Sequence, residues 1–224
     1  MMTSLLPLAL CAIALLAHAS AVSFDKSGNV LEPASSTAYP TVLQGHELVG
    51  TSIRVKKIVF VSVQVYAVGL YLDPEHLGEL KAWKAKSGAE LARDETLYKA
   101  LLKDDSLAKT LRLVMVRTVT GEQMGSALSE AVEGRLPKSR DQACKDAFAG
   151  LKKMFSAPSL KTGTEIVFKW SPGGKLLVTM DGEAAGGVLE STTLAIALFD
   201  VFLGDKAVLE RAPLIERLAD LLAL

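Results

Sequence analysis

Apolar positions along the chain switch between a period of two and a period near 3.6, and the switches mark the elements. From Val42 to Tyr71 the sequence is dominated by Val, Ile, Phe and Tyr with Gly45, Gly50 and Gly69 between them, which predicts two or three strands. Asp73-Pro74 ends the run. Glu75 to Lys103 then carries helical spacing at Leu77, Leu80 and Trp83 and again at Leu97, Ala100 and Leu101. Thr110 to Val119 returns to strand, with Leu111, Leu113 and Met115 alternating against Arg112, Val114 and Val116. Thr120 suits the N-cap of a helix over Gly121 to Gly134, and a second helix, Arg140 to Phe155, follows the break at Leu136-Pro137.

Two apolar segments, TEIVFKW and KLLVTMDG, flank Ser171-Pro172-Gly173-Gly174 and predict a β-hairpin. Leu189 to Leu203 predicts a largely apolar helix with Ser191 as its N-cap and Gly204 just past its end. Pro213 to Leu224 predicts a final helix with Leu214, Ile215, Leu218, Leu221 and Leu222 on one face. Strands come first and helices lie between and after them, without strand-helix-strand alternation. The expected class is therefore α+β, a mainly antiparallel sheet with helices stacked on one face.

One stretch departs from plain core patterning: RVKKIVFVSVQVYAVGLYLDP, Arg54 to Pro74. Taken as one continuous strand, it puts Val55, Val59, Val61, Val63 and Val65 on a core face. Arg54, Phe60, Ser62, Gln64 and Tyr66 then share the other face, which suits either a partly apolar pocket with a few hydrogen-bonding groups or a half-exposed strand surface. A straight strand at roughly 3.3 Å per residue separates Arg54 from Tyr66 by about 40 Å, so a shared ligand requires a turn or bulge. The segment Arg54-Val55-Lys56-Lys57 is the natural place for it.

Composition bounds the partners. The chain has 224 residues, 50% of them hydrophobic, enough for one domain with a sizeable core. Lys+Arg and Asp+Glu both total 25, which leaves no basic excess for nucleic acid. No Asp, Glu, Lys or Arg occurs before Asp25, and the apolar run Leu5 to Ala17 closes in Ala17-His18-Ala19. Residues 1–19 are thus expected to be a signal peptide leading to the secretory pathway or out of the cell, or the first half of a two-part presequence into an organelle. The turn-rich residues 20–40 are expected to be a flexible arm, and 41–224 a single domain with no stable membrane span.

Cys11 falls in the leader, so Cys144 is the one cysteine of the mature chain, and its helical context predicts a small buried hydrophobe. His46 and His76 stand alone, and no nucleophile elbow, Walker loop or H-E-x-x-H is present, so no metal and no cofactor is expected.

The pattern G-x-x-x-R-x-K-K-I from Gly50, followed by VYAVGLYLD from Val65, resembles the chalcone isomerase superfamily, and specifically its non-enzymatic fatty-acid-binding branch. LRLVMVRTVTGEQMGSAL, GTEIVFKWSPGGKLLVTMDGEAAGGV and LFDVFLGD are similar to later family segments in the same order, so the resemblance covers nearly everything from Val42 onward. It implies an open-faced β-sandwich of chalcone isomerase type, a long antiparallel sheet with a layer of helices, and a ligand cleft between them. Arg54 matches the arginine that contacts the ligand carboxylate in the fatty-acid binders and assists catalysis in the isomerases. Tyr66 matches a position that is typically Thr in the isomerases and Tyr in the binders.

The isomerase Tyr, the Asn seven residues later and the Thr of the penultimate helix fall here at Met124, Ala131 and Val201, none of which offers a donor or a general acid. Those three residues and Phe202 would instead form an apolar surface for an acyl tail. The resemblance therefore implies non-catalytic binding of fatty acids or similar amphipathic carboxylates. A chalcone-isomerase-like intramolecular lyase on another substrate and a non-catalytic helper of a flavonoid-type pathway are the alternatives.

Overall fold

The computed structural model describes residues 22–155 and 159–224; the leader assigned to residues 1–19 and Cys11 lie outside the described residues. Three short strands open the chain: β1 (Ser23–Phe24), β2 (Val30–Leu31) and β3 (Ala38–Tyr39). The main sheet begins with β4 (Val42–Leu43), β5 (His46–Ile58) and β6 (Val61–Leu72). A 3-10 segment over Pro74–Trp83 leads through α1 (Gly88–Leu91) and α2 (Glu95–Lys103) to β7 (Lys109–Met115). Two helices, α3 (Gly121–Glu133) and α4 (Gln142–Lys153), precede β8 (Glu165–Ser171) and β9 (Lys175–Met180). Then come β10 (Glu183–Ala184), β11 (Leu189–Glu190), α5 (Thr192–Leu203), a 3-10 turn over Ala212–Ile215 and α6 (Leu218–Ala223).

The main sheet is antiparallel in the order β10-β9-β8-β7-β6-β5-β4, with β11 also pairing β9. Alternation divides its side chains between two faces. Val68, Leu70 and Leu72 of β6 and Leu111, Leu113 and Met115 of β7 join Phe168 and Trp170 in the large core beneath α2 to α5. This is the expected α+β architecture, with the helix layer on one face. Thr120 and Ser191 cap α3 and α5 as the sequence indicates, Thr120 in a reciprocal capping box with Gln123. Cys144 is buried on α4.

Three expectations need correction. The single periodic stretch from Glu75 to Lys103 is broken, because Ser87 caps α1 in a box with Glu90 and Asp94 caps α2 by accepting from the Thr96 and Leu97 amides. The last helix is likewise interrupted, where the Arg217 amide donates to the Val49 carbonyl and its guanidinium to the Leu48 carbonyl at 2.7 Å, tying the chain to β5.

The third correction concerns the arm. Residues 22–40 are folded: β1, β2 and β3 make a small antiparallel sheet whose Val30 and Tyr39 pack on Leu48, Ala67, Tyr71 and Val114, the outer face of the main sheet. Its polar residues close turns instead of solvating a linker, since the Asp25 carboxylate accepts from the Ser27 and Asn29 amides and the Glu32 carboxylate from those of Ala34 and Ser35. Gly69 leaves the space that Tyr39 fills, because a Cβ there would lie 2.6 Å from the tyrosine ring.

Candidate functional site

The site grows from the helix-facing side of β5. Gly50, Ser52 and Arg54 recur every second residue on that face, and the segment that follows α5 lies along all three. A Cβ on Gly50 would sit 2.1 Å from the Pro213 carbonyl oxygen, so only glycine admits the segment there. The Ser52 hydroxyl donates to the Glu210 carbonyl at 2.7 Å, and the Arg54 guanidinium donates to the carbonyls of Val208 and Val55. Arg54 makes no ion pair among the described residues and keeps hydrogen-bonding capacity for a further acceptor.

Arg54 and Tyr66 are register partners across the β5–β6 pair, and Tyr66 is in turn the partner of Met115 on β7. The chain reverses at Val59-Phe60, not at Arg54 to Lys57, so the two halves of the stretch are separate strands. A bulge follows the Arg54–Tyr66 pair: Val55 pairs with Gln64, leaving Val65 as the extra residue. One extra residue moves every later side chain to the opposite face. Val63 and Val65 consequently line the cavity beside Tyr66, while Gln64 reaches the Ala34 carbonyl on the outer side. The continuous-strand expectation, with Phe60, Ser62 and Gln64 on Tyr66's face, does not hold.

A cavity of about 480 Å³ opens between this hairpin and helices α3 and α5. Arg54, Tyr66, Met124, Ala131 and Val201 all line it. Met124 and Ala131 lie two helical turns apart on one face of α3, with Leu128 between them. Phe202 is fully buried and does not line the cavity, which corrects its place in the expected set. Consecutive helical residues cannot face the same way, so Val201 takes the cavity side of α5 and Phe202 the core.

Sequence patterning missed Lys56, Arg117, Gln123, Glu130 and Val208, all of which line the cavity. For Arg117 a signal existed: it lies two residues past Met115, the last residue of β7 and the register partner of Tyr66. Its guanidinium and the Lys56 ammonium outnumber the one lining carboxylate, Glu130, so the polar side of the cavity is net cationic.

Tyr66 is 7% exposed. Burial pushes its phenol up to about 12 against the opposing pull of Arg54, so the hydroxyl is a neutral hydrogen-bond donor in neutral solution. Among the described residues that hydroxyl has no hydrogen-bond partner. No cluster of His, Cys, Asp and Glu among the described residues could hold a metal ion. The arrangement sets the Arg54 cation beside a neutral phenol donor at one wall, with Lys56, Arg117, Gln123 and Glu130 also on the lining and Met124, Leu128, Ala131 and Val201 adding apolar surface.

A family model described as chalcone isomerase like matches residues 44–212. Chalcone isomerase-like protein 2 of Humulus lupulus is 32% identical over 142 residues, which are 61% of this chain and 67% of that protein. Chalcone isomerase-like protein 1 of the same plant is 28% identical over 186 residues, 78% of this chain and 82% of that protein. The crystal structure of a fatty-acid binding protein of Arabidopsis thaliana superimposes with a TM-score of 0.74 at 21% identity, covering 87% of this chain and 98% of the other. That likeness establishes a shared fold.

Proposed function

The chain belongs to the chalcone isomerase-like family, and from that premise we propose that it binds fatty acids or similar amphipathic carboxylates without transforming them. The observation that carries the proposal is the pairing of Arg54 with Tyr66 at one wall of a cavity to which Met124, Leu128, Ala131 and Val201 contribute a surface without hydrogen-bonding groups. A carboxylate accepts from the guanidinium and from the phenol at once. The acyl tail lies against α3 and α5. The cavity falls within the roughly 300–1,000 Å³ of ordinary small-molecule sites, and its fold is that of a fatty-acid binding protein.

Magnitudes assign the roles. A charge-assisted hydrogen bond contributes roughly 1.5–3 kcal/mol and each buried methylene about 0.8 kcal/mol. The tail therefore dominates affinity and the head fixes orientation. Isomerisation needs groups that stabilise a phenolate nucleophile and polarise an enone, and the side chains at 124, 131 and 201 supply neither.

Native mass spectrometry of protein purified without detergent, followed by solvent extraction, tests the proposal. Stoichiometric long-chain fatty acid is the expected finding. A protein that emerges empty and takes up no added fatty acid overturns it.

A further inference from the structure

Beyond the Arg54–Tyr66 pair the hairpin of β5 and β6 leaves the rest of the sheet. Strand β4 pairs only with His46 and Glu47, and β7 pairs with β6 only from Tyr66 onward, so residues 55–65 run out as a two-stranded ribbon. Its tip is apolar and open to solvent: Val59 is 75% exposed, Phe60 93%, and Ile58 and Val61 at least half. Solitary exposed apolar residues are ordinary, whereas four in succession at the end of a projecting ribbon are not.

The turn itself carries a second observation. Ile58 and Val61 are paired, so Val59-Phe60 is a two-residue loop, a position where Asn, Asp or Gly is favoured because φ must be positive. Val59 has φ 54°, a left-handed conformation that β-branched residues rarely adopt. Local preference is given up here for side chains that make no use of water.

Charge points to the occupant. No Asp or Glu occurs from Leu48 to Leu72, while Lys56 and Lys57 stand exposed just behind the tip. An apolar tip with a cationic collar complements an apolar layer beneath anionic headgroups. A protein interface fits less well, because lysine is depleted from such interfaces. Ile58, Lys56 and Val63 of the same ribbon line the cavity, which makes tip and cavity rim continuous.

We propose that the β5–β6 hairpin tip docks the protein on an anionic lipid surface, with Val59 and Phe60 entering the acyl boundary and Lys57 meeting the headgroups. Docking rests on the tip alone; passage of a ligand between bilayer and cavity rests in addition on the fatty-acid binding proposed above.

The test is co-sedimentation of the full chain with vesicles of phosphatidylcholine alone and of phosphatidylcholine mixed with phosphatidylserine. Binding is expected to the mixed vesicles and to weaken with salt. Val59→Gly with Phe60→Ser is expected to lower it by at least about tenfold, and Lys57→Glu by roughly tenfold. Glycine relieves the positive φ at position 59, so an unchanged thermal midpoint shows that the double variant is folded.

Vesicle binding that is absent, or equal in the wild type and the tip variants, overturns the proposal. Loss of concentration-dependent self-association in the double variant, without any vesicle binding to lose, also overturns it and assigns the tip to a second copy of the chain. Fatty-acid uptake in solution separates the two proposals: tip-dependent docking by a protein that takes up no fatty acid leaves docking standing and removes the cavity's assigned ligand.

Discussion

Arg54 and Tyr66 stand directly opposite each other on neighbouring antiparallel strands, a cation beside a phenol on the face that looks into the cavity. Directly opposed residues hold their Cβ atoms about 5 Å apart, a separation that one carboxylate bridges. Arg54→Ala is therefore expected to weaken fatty-acid binding by about 10- to 100-fold and binding of the fatty alcohol of equal length far less, measured by titration calorimetry. Arg54 also holds the Val208 carbonyl, so Ser52→Ala, which loosens the same segment at Glu210, is the control and should affect acid and alcohol alike. Equal losses for both ligands in Arg54→Ala would remove Arg54 from the carboxylate role.

The Tyr66 phenol, pushed up to about 12 by burial, keeps its proton through mildly alkaline solution. Its contribution to binding is expected to be constant from about pH 7 to about pH 10, which reaches the usual tyrosine value but stays well below its own. Tyr66→Phe should lower affinity by about 3- to 20-fold throughout that window. A loss of wild-type affinity between about pH 8 and about pH 10 that Tyr66→Phe abolishes would show a phenolate forming there and would exclude the donor role.

How much of this the sequence disclosed depends on the kind of signal. Caps and turns were legible because their chemistry is local: Thr120, Ser191 and the Gly173-Gly174 turn lie where their side chains or backbone freedom require. The residues around the cavity came from family resemblance, and periodicity alone misplaced several of them. A single bulge at Val65 inverted the alternation on which the facing of Phe60, Ser62 and Gln64 rested. The burial of Tyr39 against Gly69 depends on a contact between distant parts of the chain, which no local window contains.

The seating of the C-terminal segment on β5 yields a contrast between two glycines. A Cβ at Gly50 meets backbone, the Pro213 oxygen at 2.1 Å and the Leu214 carbonyl carbon at 2.7 Å, and backbone does not step aside cheaply. Gly50→Ala is expected to cost about 2–4 kcal/mol in denaturant titration. A Cβ at Gly78 meets nothing within 4 Å, so Gly78→Ala should be neutral or stabilise by about 0.5 kcal/mol. The opposite order would mean that the segment does not rest on β5, and the anchoring of Arg54 at Val208 would fall with it.

Lys109 supplies a stability signature of its own. Its side chain is buried with the ammonium 4.0 Å from the centroid of the Trp170 ring, donating to the Asp104 carbonyl at 2.7 Å. Burial drives its pKa down to about 8, with Asp104 and Asp105 pulling the other way. Above that value the native state has released a proton that the unfolded chain still holds up to about 10.4, so stability rises with pH across the window between them. Above about pH 10 the trend reverses, because burial raises Tyr66, Tyr71 and Tyr98 and the native state then keeps protons that the unfolded chain loses. Lys109→Met removes the buried charge at similar length and is expected to flatten the rise between about pH 8 and about pH 10 while leaving the fall above it. Urea titrations across that range decide the matter, and parallel profiles for the wild type and Lys109→Met would show that the ammonium keeps its proton throughout.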